Sequence, residues 1–297
     1  MCIRVHVFDL FLMNNALDNT VVTSTHFSCL FQFYFGNGQC ERSSNVKVGL
    51  IGFGRTGRSV ATVILENKNT CLEWVVRRSS KLEHRSVPEF LGIESPEPGL
   101  IYCKDEFTAD QLLEDHPVDA IVDFSSESGI DYYGKAAAAR GVAVVCAISN
   151  FSDERAPLFE ELARSTRVLW SPNITIGINF LLLAAQRLQK IAPYTDIEII
   201  EEHFRDKADV SGTAVRIADG LGVEREQIKV VRAGGIIGTH EILFGFPYQT
   251  VRLTHESISR EAFGNGALFA VEHLLQKPHG FYRMEDLLAP YFDINGD

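Results

Sequence analysis

Residues 46–65, VKVGLIGFGRTGRSVATVIL, decide the fold of this chain. The run VKVGLI is rich in strand-forming residues, GFGRTG has the GxGxxG spacing, and residues 58–65 follow a helical pattern. In this order the glycines admit a pyrophosphate and the helix N-terminus offers free N–H groups. We therefore predict that the turn binds a dinucleotide through Gly52, Phe53, Gly54, Arg55, Thr56 and Gly57. The alternative is a glycine-rich turn of the same shape without a ligand.

The second strand, predicted over residues 72–76, ends in Arg77, Arg78 and two serines. NAD enzymes usually place a carboxylate here for the ribose 2′-hydroxyl, and that carboxylate would repel the 2′-phosphate of NADP. Guanidinium groups instead suit a phosphate dianion, so the two arginines favour NADPH, with NADH as the second possibility. The alternative is a basic surface loop.

Strands and helices continue to alternate up to residue 171. Helices are predicted over residues 108–115, 128–140 and 153–165, strands over 119–124, 141–147 and 168–171, and an irregular loop over 88–98. This alternation predicts a Rossmann-type doubly wound parallel sheet, whose ligands lie at the carboxyl ends of the strands. The further cofactor contacts predicted at these ends are Phe124, Ser125, Ala147 and Ser149.

Pro172 and Asn173 end the alternation, and a different pattern follows. An apolar helix over residues 176–191 precedes strands predicted at 196–204, 228–232, 238–244 and 250–256, which indicate a mixed sheet. Helical segments at 260–276 and 281–288 are expected to pack back on the first domain. We predict a dinucleotide-binding domain of residues 45–173 and 261–297, and an α+β substrate-binding domain of residues 174–260, to which the family resemblance given below adds oligomerisation.

The segment at residues 201–214, EEHFRDKADVSGTA, contains the candidate substrate site. His203, Arg205 and Lys207 alternate, so an extended chain would place all three on one face. Ser211 is a good N-cap for a helix starting at Gly212, where backbone N–H groups are open to an anion. The functional interpretation is an anion held from both sides. The alternative is a solvated strand edge that runs into an ordinary capped helix.

Composition limits the partners of the chain. It has 297 residues, 45% of them hydrophobic, and a net charge of −11, which argues against nucleic acid or an anionic membrane as partner. Its six cysteines show neither a CxxC pair nor the spacing of metal ligands, so we predict no metal site and reduced thiols in the cytoplasm. An anionic substrate must then meet a local basic pocket.

The first 44 residues differ from the rest. Polar residues interrupt their apolar runs before a membrane-spanning length is reached, and they lack the basic start and continuous apolar core of a signal peptide. We predict an N-terminal extension outside the folded core, over residues 1–44, with natural translation beginning near Val46 as a hypothesis.

From residue 46 to 288 the chain resembles the bacterial dihydrodipicolinate reductase family of lysine and diaminopimelate biosynthesis. The matching motifs are GFGRTGR at 52–58, VDFSS at 122–126, SPNITIGIN at 171–179, DIEIIEEHFRDKADVSGTA at 196–214, RAGGIIGTHEILF at 232–244, THESISREAFGNGA at 254–267 and GFYRMEDLL at 280–288. Their order and spacing are more specific than any one motif. The resemblance implies NAD(P)H-dependent reduction of 4-hydroxy-tetrahydrodipicolinate to tetrahydrodipicolinate, and a homotetramer assembled through the mixed sheet.

The resemblance also implies roles for individual residues. His203 matches the family histidine credited with the proton step, and Lys207 matches the catalytic lysine. Ser211, Gly212 and Thr213 match the loop that holds a substrate carboxylate. These roles fit a small cyclic dicarboxylate, because a lysine and a helix N-terminus suit its charges and a histidine suits the proton.

Three departures from the family pattern bear on the substrate. Phe204 stands where the family usually has a second histidine, the usual proline before Ser-Gly-Thr is missing, and the residues AISN at 147–150 replace Gly-Thr-Thr-Gly. Two alternatives therefore stand: an NADPH-dependent reductase of another cyclic imine or amino-acid-derived substrate, or a non-catalytic NADPH-binding protein. Retention of His203 and Lys207 argues against the second, because a binding protein needs no proton donor.

Overall fold

The computed structural model describes residues 3–5, 45–149 and 151–293. The predicted N-terminal extension, apart from Ile3–Val5, lies outside the described residues, as do Asn150 and residues 294–297. Within the described ranges, no helix is both long and apolar enough to cross a lipid bilayer.

The secondary structure follows the predicted alternation. The strands are β1 Ile3–Val5, β2 Val46–Ile51, β3 Thr70–Arg77, β4 Leu100–Cys103, β5 Ala120–Asp123, β6 Ala143–Cys146, β7 Arg167–Trp170, β8 Asp196–His203, β9 Ile228–Arg232, β10 Thr239–Gly245, β11 Thr250–Glu256 and β12 Gly280–Tyr282. The α-helices are α1 Arg55–Glu66, α2 Val87–Leu91, α3 Ala109–Asp115, α4 Gly129–Ala139, α5 Ala156–Ala163, α6 Ile176–Ile191, α7 Gly212–Leu221, α8 Glu261–Leu274 and α9 Met284–Leu288. Single 3-10 turns occupy Asp153–Arg155, Arg225–Gln227 and Ala289–Phe292.

Seven strands form a parallel sheet in the order β12-β7-β6-β5-β2-β3-β4. Helices cover both faces, so β5 and β6 are buried throughout and are apolar except for Asp123 at the end of β5. One hydrophobic core packs beneath α1, α8 and α9, and another beneath α3, α4 and α5. The predicted doubly wound parallel sheet is confirmed.

The second sheet is mixed and has the order β1-β11-β10-β8-β9. Strand β10 runs antiparallel to both β8 and β11, whereas β9 is parallel to β8 and β1 is parallel to β11. Residues of α6 and α7 pack on one face of this sheet, around Ile199, Ile242 and Phe244. The predicted mixed sheet is therefore confirmed. His203 is the last residue of its strand β8 and lies at the end of the sheet.

Several local predictions were wrong. The loop predicted over residues 88–98 contains α2, which forms because Ser86 caps it by accepting a hydrogen bond from the Glu89 N–H. Strand β4 was not predicted at all. A helix was predicted over residues 281–288, but Gly280–Tyr282 form β12 because they extend the sheet edge beside β7, and α9 starts only at Met284.

Candidate active site

The glycine turn between β2 and α1 has the shape that a pyrophosphate requires. Gly52 has a φ of +98°, and a Cβ there would lie 2.8 Å from the Phe124 backbone. A Cβ on Gly57 would lie 2.1 Å from the Gly52 oxygen, so the helix packs directly on the turn. A Cβ on Gly54, by contrast, would meet nothing within 4 Å. The turn therefore fits a dinucleotide, with Gly54 bordering open space at the N-terminus of α1.

The other residues of the turn differ in what they can offer a ligand. The Phe53 ring is buried and packs on Phe90 at a centroid distance of 5.6 Å, so only its backbone faces the turn. Arg55 is exposed and Thr56 is half-buried, both in the first turn of α1. That turn contains no acidic side chain, so nothing in it repels an anion.

Hydrogen bonds beyond the strand ends align the other predicted cofactor contacts. The Gly52 N–H donates to the Val76 backbone oxygen at 2.8 Å, the Phe124 N–H to the Ile51 backbone oxygen at 2.9 Å, and the Ala147 N–H to the Asp123 backbone oxygen at 2.9 Å. Residues after β2, β5 and β6 thus share one edge of the parallel sheet. Ser149 is exposed two residues beyond Ala147.

Ser125 is held at this edge by the carboxylate of Asp123, which is fully buried. The Ser125 N–H and hydroxyl donate to Asp123 Oδ1 at 2.8 and 2.6 Å, and the Tyr133 hydroxyl donates to Oδ2 at 2.9 Å. Burial raises the pKa of Asp123 to about 6, although these hydrogen bonds act in the opposite direction. Asp123 therefore fixes the loop after β5 and is itself out of reach of a ligand.

The two arginines after β3 lie in different surroundings. Arg77 is half-buried, and its Nη1 donates to the Lys81 oxygen at 2.8 Å. Arg78 is exposed and lines a surface depression of about 530 Å³. The other residues that line it are Ser79, Ser80, Glu83, Cys103, Asp105 and Glu106. The depression therefore offers a guanidinium and two hydroxyls to a phosphate, with three carboxylates alongside.

At the end of β8, the buried carboxylate of Glu201 contacts both the candidate catalytic residue His203 and the backbone of Ser211 in the loop before α7. His203 Nδ1 lies 2.5 Å from Glu201 Oε2. Arg232 donates to the two oxygens of Glu201 at 2.9 and 2.7 Å, and the Ser211 N–H donates to Oε1 at 3.1 Å. Burial alone would raise the pKa of Glu201, but these donors outweigh it and lower the pKa to about 2. Glu201 is thus a carboxylate at neutral pH.

The expectation that His203, Arg205 and Lys207 share one face was wrong. Strand β8 ends at His203, and the chain then turns, with the Lys207 N–H donating to the Phe204 oxygen at 3.1 Å. Arg232 holds this turn, because its Nε donates to the Lys207 oxygen at 2.9 Å. Lys207 is half-buried, Arg205 is exposed, and no carboxylate of the described residues pairs with the Lys207 ammonium.

Helix α7 begins five residues after Lys207, at Gly212 as predicted. A Cβ on Gly212 would meet nothing within 4 Å. The Thr213 hydroxyl donates to Asn173 Oδ1 at 2.8 Å, and Asn173 follows β7 of the parallel sheet. The predicted carboxylate-binding loop is therefore tied to the segment that leaves the cofactor edge.

His240 lies beside this loop and was not predicted. Its Nε2 lies 2.9 Å from Ser211 Oγ. Its ring packs edge-on against the His203 ring, with 5.3 Å between the two ring centroids. His240 is also the cross-strand neighbour of Glu201 on one side and of His255 on the other. Burial, reinforced by His203 and His255, lowers the pKa of His240 to about 3, so the ring is neutral.

Comparisons with known proteins agree with this architecture. A family model described as "Dihydrodipicolinate reductase, N-terminus" matches residues 46–174, and one described as "Dihydrodipicolinate reductase, C-terminus" matches residues 175–288. The 4-hydroxy-tetrahydrodipicolinate reductase of Caldanaerobacter subterraneus is 34% identical over 192 residues, which cover 57% of this chain and 76% of the relative. The 4-hydroxy-tetrahydrodipicolinate reductase of Buchnera aphidicola is 29% identical over 266 residues, which cover 80% of this chain and 95% of the relative.

Solved structures show the same fold. A dipicolinate-bound dihydrodipicolinate reductase from a Paenisporosarcina species aligns with a TM-score of 0.68 at 22% identity, covering 82% of this chain and 99% of that one. An amine dehydrogenase from Mycobacterium smegmatis aligns with a TM-score of 0.56 at 13% identity, covering 82% and 96%. The second match shows that the fold also occurs in an enzyme with a different name, so the fold alone does not specify the substrate.

Proposed function

The chain belongs to the dihydrodipicolinate reductase family, and from this premise we propose how its residues carry out the reaction. It is an NAD(P)H-dependent oxidoreductase of the 4-hydroxy-tetrahydrodipicolinate reductase type. The observation that supports the proposed residue roles is the Glu201–His203 pair beside the open N-terminus of α7. A nicotinamide dinucleotide at the glycine turn supplies the hydride.

His203 is the proposed proton donor. Because Glu201 is ionised, it can only accept, so His203 Nδ1 is the donor in this pair and Nε2 is the nitrogen left for the substrate. Nε2 borders Gly238, where a Cβ would lie 3.0 Å away. In the protonated ring, Nε2–H can be donated to the substrate as the hydride arrives.

Lys207 and α7 are the proposed anchors for the substrate's two carboxylates. The Lys207 ammonium supplies a positive charge at a half-buried position beside the turn. The Ser211, Gly212 and Thr213 segment supplies backbone N–H groups and the positive end of the α7 dipole. A dianionic cyclic substrate would therefore lie between the two, within reach of His203.

Three finer features belong to the same proposal. We propose NADPH as the preferred cofactor, supported by the exposed guanidinium of Arg78 with the serine hydroxyls beside it, and by Arg77 at the end of the same strand. Assembly as a homotetramer through the mixed sheet stays a prediction from the family resemblance, and a cytoplasmic location stays a prediction from the cysteine pattern.

The test is a coupled assay that supplies freshly made dihydrodipicolinate synthase product and follows NADPH absorbance. His203→Ala should lower kcat by about 10²–10⁴-fold, the usual contribution of a positioned general acid. Lys207→Ala should raise KM and lower kcat, because its charge acts on bound substrate and transition state alike. Arg205→Ala is the matched control, since Arg205 is exposed on the same turn. Turnover within a few-fold of wild type in both site variants would contradict the assignment.

Phe204 favours a second candidate substrate. Its ring is 44% exposed on the turn next to His203, where the family resemblance leads one to expect a histidine. An exposed aromatic ring suits a cyclic imine with a more apolar ring than the family substrate. Parallel assays with the family substrate and with a cyclic imine that has a more apolar ring test this alternative. A higher kcat/KM for the apolar imine in the wild-type protein, together with a higher kcat/KM for the family substrate in Phe204→His, would establish it.

A further inference from the structure

Ser211 occupies the N-cap position of α7 but its side chain does not cap the helix. A serine here normally accepts a hydrogen bond from a backbone N–H two or three residues later. Ser211 Oγ instead lies 2.9 Å from His240 Nε2, in a buried contact. The hydroxyl is thus drawn away from the helix.

The second hydroxyl of the loop is drawn away as well. Thr213 Oγ1 donates to Asn173 Oδ1 at 2.8 Å, and the first turn of α7 has no acidic residue. The first N–H groups of a helix have no partner within the helix. Among the described residues, no side chain caps those of Gly212 and Thr213. An incoming carboxylate therefore meets no internal competitor.

The tautomer of His240 determines which side chain, His240 or Ser211, donates the hydrogen bond between them. The ring is neutral, and its Nδ1 is buried with no hydrogen-bond partner in the described part of the chain. A buried N–H without a partner is rarer than a buried acceptor without one, so the proton belongs on Nε2. Nε2–H then donates to Ser211 Oγ, and the Ser211 hydroxyl keeps its own hydrogen for another acceptor.

We propose that His240 is a positioning residue for substrate binding: it holds the Ser211 hydroxyl off α7 and so keeps the helix N-terminus open to a substrate carboxylate. The inference rests on the proposed function, because it concerns the same carboxylate site. It adds a residue of β10 that touches no substrate and acts through Ser211.

Variants at two positions separate this role from a structural one. His240→Phe keeps a ring but removes the N–H, so Ser211 is free to cap α7 and compete with the carboxylate. His240→Gln keeps a side-chain N–H donor and is the matched control. Adding Ser211→Ala to His240→Phe removes the competing hydroxyl, so the double variant should bind better than His240→Phe alone.

The probe is dipicolinate, a planar dianionic dicarboxylate, titrated calorimetrically into the NADPH complex of each full-length variant. His240→Phe should weaken dipicolinate by about 10- to 100-fold, the cost of one charge-assisted hydrogen bond, and leave NADPH affinity unchanged. His240→Gln should stay within a few-fold of wild type. A double variant that binds no better than His240→Phe would overturn the inference.

Two further readouts keep the test decisive. In ¹⁵N NMR spectra of the wild-type protein, the His240 ring is assigned by the ring signal that is lost in His240→Gln. This ring should be neutral with its proton on Nε2. A proton on Nδ1 would overturn the inference even if His240→Phe fails to fold. Wild-type protein that neither binds dipicolinate nor turns over substrate would refute the proposed function and this inference together. Wild-type turnover without rescue in the double variant would refute this inference alone.

Discussion

Replacing Glu201 by Gln should destabilise the protein in a way that depends on pH. Glu201 is fully buried and accepts hydrogen bonds from His203, Arg232 and the Ser211 N–H. Glutamine has the same size but no charge, and one end of its amide is a donor. The change therefore leaves the Arg232 guanidinium without its counter-ion and turns an N–H toward an existing donor.

The magnitude follows from the pKa of Glu201. Burial raises this pKa, but the donors outweigh burial and lower it from 4.5 to about 2. At about 1.36 kcal/mol for each pH unit, the difference corresponds to about 3 kcal/mol. Removing one partner of a buried ion pair typically costs about 3–5 kcal/mol, in agreement. Since the folded pKa is the lower one, this stability is complete above pH 4.5 and is lost as the pH falls toward 2.

Urea unfolding of wild type and Glu201→Gln at several pH values measures this directly. The free energy of unfolding should differ by about 3 kcal/mol at pH 7, and the difference should shrink as the pH falls below 4.5. Glu241→Gln is the matched control: Glu241 pairs with the partly exposed Arg252 on the neighbouring strand, so its loss should cost at most about 1 kcal/mol. The reasoning would be refuted if Glu201→Gln lowered the free energy of unfolding by less than about 1 kcal/mol, or if the lowering stayed constant down to pH 3.

Further predictions concern the cofactor edge. The double change Arg77→Ala and Arg78→Ala should weaken NADPH about 10²-fold or more and spare NADH in fluorescence titrations, whereas an equal loss would contradict the phosphate contact. Gly54→Leu should abolish NADPH binding at unchanged apo Tm, since a Cβ there meets nothing within 4 Å; Gly57→Ala should lower Tm, since its Cβ would lie 2.1 Å from a backbone oxygen of the same turn. Burial raises the pKa of Asp123 from 3.8 to about 6, so wild-type stability should fall by about 3 kcal/mol as the pH rises through this range, and Asp123→Asn should remove that slope in urea unfolding.

Much of the fold could be predicted because the longer elements carry clear periodicities. Helix α6 was predicted with its observed bounds, and so were β9 and β11. The elements that were missed are short: α2 has five residues, β4 has four, and β1 and β12 have three each. Segments of this length show fewer than two helical turns or at most two strand alternations, so their structure comes from tertiary partners rather than from their own pattern.

The candidate site was predictable only where its residues are adjacent in sequence. His203, Lys207 and Ser211 lie in one segment and were found together. Glu201 could have been found, because the alternation used for His203 and Arg205 also places Glu201 on the face of His203. Arg232 is 31 residues from Glu201, and His240 is 29 residues from Ser211. Their contacts depend on the order of strands in the mixed sheet, which a single sequence does not specify.

Glu201 couples the two functions of the candidate site. Its Oε2 accepts from His203, and its Oε1 accepts from the Ser211 N–H, while Arg232 donates to both oxygens. Because this carboxylate is ionised, it fixes Nδ1 of His203 as a donor and leaves Nε2 for the reaction. The same carboxylate fixes the residue from which α7 starts, and with it the N–H groups that a substrate carboxylate would meet. One buried side chain thus positions both the proposed proton donor and the proposed anion site, so a displacement of either should also displace the other.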